Sequence, residues 1–301
     1  IPNIPADARC AQNGVTVAGG YGEGDATNQL YWPHGLLVDD DQTIVIADWW
    51  NHRIIQWKKG DTKGQVVAGG NGHGNRLDQL KHPTDVLIDK ETDSLIICDT
   101  GRVVRWSRRS GTAQGEILID NVNSWGLAMD DQRYLYISDY EKHEVRRYQI
   151  GDKNGTLVAG GNSKGAGLNQ LNNPHYIFVG QQQTVYVSDN RNHRVMKWNK
   201  GATEGIVVAG GYGEGSALTQ LSHPNGLFVD TLDTIYVVES GNDRVMRWPT
   251  GVKQGTVIVG GNSYGAGANQ FNCPKGLSFD RQGNLYVADV SNNRVQRFSI
   301  E

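Results

Sequence analysis

The sequence predicts an all-β protein, a six-bladed β-propeller of four-stranded antiparallel blades. Three observations carry this: an internal period near fifty residues, four strand signals per period, and a spare strand near the N-terminus. Proline marks the period. Pro33 and Pro83 stand 50 residues apart, as do Pro174, Pro224 and Pro274, and the 91 residues from Pro83 to Pro174 hold one shortened copy centred on Ser124-Trp125-Gly126. That makes six copies.

Each copy reads as four short strands. In the fifth they are Gly226 to Asp230, Thr234 to Val238, Arg244 to Trp248 and, after a glycine-containing turn, Thr256 to Val259. Such β-branched and aromatic runs bounded by Gly, Asp and Asn are strand signals, and nothing of helical length or period interrupts them. The chain ends on a third strand, Arg294 to Phe298, while Val15-Thr16-Val17-Ala18 matches the fourth-strand runs Val66-Val67-Ala68 and Val207-Val208-Ala209. Residues 15–18 therefore close the last blade behind an N-terminal extension, residues 1–14, and residues 1–301 form a single domain.

Composition narrows the partners. With 29 basic against 32 acidic residues, a formal charge of -3 and no basic run, the chain lacks the phosphate attraction on which nucleic-acid binders rely. No apolar run approaches the ~20 residues of a membrane-spanning helix. Cys10, Cys98 and Cys273 show no metal-ligand spacing. The sequon Asn154-Gly155-Thr156 points to an extracellular or secreted location, with the cytoplasm as the alternative.

Several signals that look chemical read as frame. Ala18-Gly19-Gly20-Tyr21-Gly22-Glu23-Gly24 and its relatives lack the following helix that a phosphate loop needs, so they are turns. Asp48, Asp99, Asp139, Asp189 and Asp289, with Glu239 as the exception, close second strands and stand three to five residues before an arginine in five copies, a turn-bracing pattern. Trp57, Trp106, Trp198 and Trp248, replaced by Tyr148 and Phe298, end third strands and pack between blades. His82 and His223 precede frame prolines and count as structural.

The copies disagree just after proline, where the chain turns into the innermost strand. His34, Thr84, Trp125, His175, Asn225 and Lys275 occupy that position and should ring the mouth of the central channel. At the next position Asp85 and Tyr176 replace what is otherwise glycine. His34 and His175 fall three copies apart, across the axis from one another, where two imidazoles could share a metal ion. Tyr31, Trp32, Trp49 and Trp50 add aromatic rings beside the mouth that the repeat does not require. The third copy lacks the glycine loop between Ile119 and Trp125, which predicts a low rim and a notch beside Trp125, opposite Lys275.

The runs Asn51-His52-Arg53 and Asn192-His193-Arg194, relaxed to Asn242-Asp243-Arg244 and Asn292-Asn293-Arg294, resemble those of NHL-repeat proteins, which implies the six-bladed propeller again. Pro33-His34-Gly35-Leu36, Pro83-Thr84-Asp85-Val86 and Pro174-His175-Tyr176-Ile177 are similar to motifs of peptidylglycine amidating lyases. That resemblance implies zinc on the channel axis held by His34 and His175. Tyr176, outside the motif, is a candidate base. The position of that family's third histidine carries carboxylates here, which leaves Asp85 as the remaining candidate ligand.

Two functional classes follow. One is a module that binds a small molecule, peptide or protein at the mouth through His34, Asp85, Trp125, His175, Tyr176, Asn225, Lys275, Trp49 and Trp50. The other is a zinc-dependent lyase. Catalytic zinc takes three protein ligands, and two are in hand, so binding stands first.

Overall fold

A computed structural model describes residues 2, 4–5, 8–109 and 112–300; part of the expected N-terminal extension lies outside them. The strands are β1 (Val15–Gly19), then β2–β5 (Pro33–Val38, Ile44–Asp48, Arg53–Trp57, Gln65–Gly69). Next come β6–β11 (Asp85–Asp89, Ser94–Ser107, Glu116–Met129, Leu135–Asp139, Glu144–Tyr148, Thr156–Gly160) and β12–β15 (Pro174–Val179, Val185–Asp189, Arg194–Trp198, Ile206–Gly210). The last are β16–β19 (Pro224–Val229, Ile235–Glu239, Arg244–Trp248, Thr256–Gly260) and β20–β22 (Pro274–Phe279, Leu285–Asp289, Arg294–Phe298). Among the described residues, no helix is long and apolar enough to cross a membrane.

Hydrogen bonding joins the strands into five antiparallel sheets rather than the six expected. Four hold four strands each, and one holds six in the order β11-β10-β9-β8-β7-β6. The reason lies in two deletions already visible in the sequence. Asp99-Thr100-Gly101-Arg102 is shorter than Asp48 to Arg53, and no glycine loop separates Ile119 from Trp125, so β7 and β8 each run on for 14 residues. The N-terminal part of β8 pairs with β7, from Arg105 opposite Glu116 to Thr100 opposite Asn123. Its C-terminal part pairs with β9, where Leu127 faces Ile137.

At the seam of the ring, β1 pairs with β22, Val15 opposite Arg297 and Gly19 opposite Arg294, in the sheet β1-β22-β21-β20. The innermost strands touch in the closed order β2, β6, β8, β12, β16, β20 and back to β2. Their glycines permit the approach, since a Cβ on Gly126 would lie 2.8 Å from the Tyr176 Cα and one on Gly226 only 2.5 Å from the Lys275 carbonyl oxygen.

Apolar clusters fill the spaces between neighbouring sheets. Val45, Ala47 and Ile54 of β3 and β4 meet Val86, Leu95, Val104 and Trp106 of β6 and β7 in one of them. Trp57, Trp198, Trp248 and Phe298 are all but sealed from solvent, as their role between blades required.

Two hydrogen-bond devices recur at the turns. In the first, Asp48 accepts the Tyr31 amide with one oxygen (2.8 Å) and the Arg53 Nε–H with the other (2.7 Å), while the guanidinium donates to the carbonyls of Asp25, Ala26 and Gln29. Asp99–Arg102, Asp189–Arg194, Glu239–Arg244 and Asp289–Arg294 repeat this pair. Burial pushes the Asp99 carboxyl up to about 6, with the Arg102 hydrogen bond opposing it. In the second device, His52, His143 and His193 accept through Nδ1 the backbone N–H of His82, Asn173 and His223, and Asn293 and Asp243 accept those of Trp32 and Cys273 through Oδ1. The histidine of the Asn-His-Arg run is thus an acceptor that braces one repeat against the next.

Candidate ligand-binding site at the channel mouth

The post-proline residues converge. The Trp125 indole stacks on the His175 imidazole at 4.1 Å between centroids and 9° between planes, and contacts the His34 ring at 5.6 Å and 28°. The Lys275 ammonium lies 4.8 Å from the same indole. Trp125 and Lys275, expected to flank an open notch, therefore meet. Within this ring His34, Thr84, His175 and Asn225 are buried, at 3, 7, 8 and 1% exposure, and only Trp125 and Lys275 keep partial access to solvent.

Beneath the ring the two non-glycine substitutions close the axis. Tyr176 of β12 reaches past β8, and its hydroxyl donates to the Thr84 carbonyl at 3.3 Å. Asp85 of β6 accepts the Val86 amide (3.0 Å) with one oxygen and the Leu127 amide of β8 (2.9 Å) with the other. Burial drives the Asp85 carboxyl up to about 7 against those two hydrogen bonds. Both side chains are buried among the innermost strands, Asp85 at 8% and Tyr176 at 6% exposure.

The tautomer of His175 follows from its partner. Asn225 donates through Nδ2 to the His223 carbonyl and Ser240 Oγ, both at 2.9 Å, which turns Asn225 Oδ1 toward His175 Nδ1 at 2.8 Å. Nδ1 must then carry the proton and leave the Nε2 lone pair free. Desolvation lowers the His175 pKa to about 3, against that hydrogen bond and with a further lowering from Lys275. Burial, then Lys275, likewise hold His34 far below the usual imidazole range, and its buried Nδ1 has no partner. Both imidazoles are neutral at physiological pH.

The first blade's aromatic residues continue these ring contacts outward. His34 contacts Trp49 at 5.2 Å; Trp49 stacks on His82 at 4.1 Å and touches Trp32 and Trp50, and Tyr31 packs against both of those indoles. Trp32 and Trp50 remain 40% and 43% exposed. His82, read from the sequence as frame only, belongs to this shelf. So does Tyr140, whose ring meets Trp125 edge-on at 5.8 Å. Tyr140 follows Asp139 just as Trp49 follows Asp48, and that shared register was the signal that could have found it.

The donor set does not make a zinc centre. The two imidazoles share an indole between them, and both oxygens of Asp85 are already engaged by backbone amides. A third ligand of the kind a catalytic zinc takes is therefore missing. Among the described residues, the three ligand-type side chains that do converge are His193, Glu214 and His223. His193 Nδ1 accepts the His223 amide, so its Nε2 holds the proton and faces Glu214 at 3.9 Å. A cation there would have to break a hydrogen bond of the frame. His52, His73 and His82, each 141 residues earlier, repeat the same cluster.

A groove of about 550 Å³ opens on the outer flank, lined by Thr156 to Gly160, Trp198 and Asn199 to Thr203. A similar one, lined by Val207 to Tyr212, Trp248, Val252 and Lys253, recurs one repeat later. It follows the frame and gathers no convergent set of reactive groups.

Fold and site together define a propeller-like ring of antiparallel β-sheets. The NHL repeat matches residues 30–57 and 271–298, one at each side of the seam. No curated protein sequence matches the chain. Among solved structures, an auxiliary nutrient binding protein from Bacteroides thetaiotaomicron is similar at a TM-score of 0.75 and 15% identity, over 97% of this chain and 77% of that one. The PQQ-bound aldose sugar dehydrogenase from Streptomyces coelicolor gives 0.65 and 14%, over 99% and 100%. Virginiamycin B lyase from Staphylococcus aureus gives 0.59 and 12%, over 97% and 99%. At these identities the likeness is one of fold.

Proposed function

We propose that this protein is a binding module that holds a small flat molecule at the channel mouth, with the six-stranded sheet serving as two consecutive blades of a six-fold ring. The closed contact order of β2, β6, β8, β12, β16 and β20 supports the ring. The observation that carries the function is the unbroken run of ring contacts from Trp32 and Trp50 at the rim, through Trp49 and His34, to Trp125 at the axis. Trp32, Trp49, Trp50 and Trp125 stay partly exposed with the buried His34 packed between them, and exposed aromatic faces are suited to stacking, each stacked pair contributing roughly 0.5–1.5 kcal/mol beyond the area it buries. A fold neighbour described as nutrient binding agrees with a ligand role.

The test is calorimetric titration of the purified full chain with indole-3-acetamide, an uncharged flat probe. Trp49→Ala and Trp125→Ala should each weaken binding at least tenfold. Failure of the unmodified protein to bind, or binding unchanged in both variants, rejects the reading.

A further inference from the structure

The mouth displays a cation with nothing to neutralise it. Among the described residues, Lys275 forms no ion pair, and its contact is the Trp125 ring at 4.8 Å. Asp85, a buried carboxyl of the innermost strands, already accepts two backbone amides, and burial raises its pKa to about 7. Desolvation depresses the Lys275 pKa, which marks an ammonium that water hydrates poorly. The neighbouring imidazoles are neutral and add no further positive charge.

Resting on the binding role proposed above, we infer that the ligand carries a carboxylate, which pairs with Lys275 while the planar part of the molecule packs against the solvent-reached parts of the Trp125 and Trp49 rings. Lys275 and Trp125 are the two members of the ring that solvent still reaches, so an incoming molecule meets an ammonium and an aromatic face together. A poorly hydrated ammonium next to an aromatic wall gains more from a carboxylate than one in open water does. A cationic ligand would meet the same ammonium as repulsion. His175 Nε2, left as a bare acceptor by its hydrogen bond to Asn225, suits a donor group on the ligand.

Three probes that share one ring and differ in charge separate the alternatives: indole-3-acetate, indole-3-acetamide and tryptamine, each titrated calorimetrically into the full chain at low salt. The carboxylate should bind at least tenfold more tightly than the amide, and tryptamine more weakly than either. Lys275→Met should erase the preference for the carboxylate over the amide; Lys275→Gln serves as a second variant. Equal binding of amide and carboxylate by the unmodified protein overturns the inference while leaving the aromatic site standing. Persistence of the preference in both variants overturns it too. If none of the three binds, the aromatic site itself is wrong and the inference falls with it.

Discussion

At the scale of the residue, Asp85 makes the sharpest demand on the fold. Four of its five counterparts are glycine, yet here a carboxyl is buried against β2 and β8, since a Cβ on Gly35 would lie 2.3 Å from Asp85 Oδ1. Its folded pKa of about 7 stands above the ordinary 3.8. The folded state therefore binds a proton that the unfolded chain has lost. Stability from this group is complete below about pH 4 and is lost as pH rises toward 7. Asp85→Gly removes that dependence, so the gap in unfolding free energy should move in the variant's favour by up to about 4 kcal/mol between pH 4 and pH 7. Urea melts at the two pH values measure it, and parallel curves would show that Asp85 is not buried in this way. Its titrating neighbours Cys98 and Tyr176 have raised pKa values and stay protonated throughout. The sequence marked Asp85 and Tyr176 as departures from glycine but not as buried side chains, because that burial depends on which strand lies across the axis.

Elements repeat because one packing solution repeats. Each third strand ends in an aromatic ring, and the glycine just before the fourth strand lets that ring lie flat on the backbone: a Cβ on Gly205 would come within 2.7 Å of the Trp198 ring, as would one on Gly64 for Trp57. The constraint is closeness, since these glycines do not have the positive φ of Gly19 or Gly20. Gly205→Ala should cost about 1–3 kcal/mol by overpacking, and Trp198→Ala about 3–5 kcal/mol by leaving a cavity. In the Trp198→Ala background the alanine at 205 should cost little, because the atoms it struck are gone. Additive losses in that double-mutant cycle would place the strain elsewhere. The aromatic positions were legible as core from their spacing alone. The reason for the glycine was not, since a turn and a close approach look alike in sequence.

For the whole molecule, legibility divides between what repeats and what is interrupted. The fifty-residue period gave the ring and the seam, but the two deletions around Gly101 and Asn121 fused neighbouring units into one six-stranded sheet, which spacing could not anticipate. The same interruption removes the loop that would precede Trp125. Across the ring, closure depends on β1. Its pairing with β22 covers an edge that would otherwise present unpaired backbone groups, and Gly14 lies against the Phe298 ring. Deleting residues 1–19 leaves Arg294 to Phe298 as an open edge and strips one side from the core that holds Phe298, Phe271 and Val287. Because the innermost strands form one closed circuit, a gap at the seam should weaken every sheet and not the last alone. The deletion should lower the thermal midpoint by ten degrees or more and shift the protein toward dimers or aggregates through edge pairing, as read by calorimetry and light scattering. A truncated protein that melts where the full chain does, and stays monomeric, would mean that the sheets are stable without the ring.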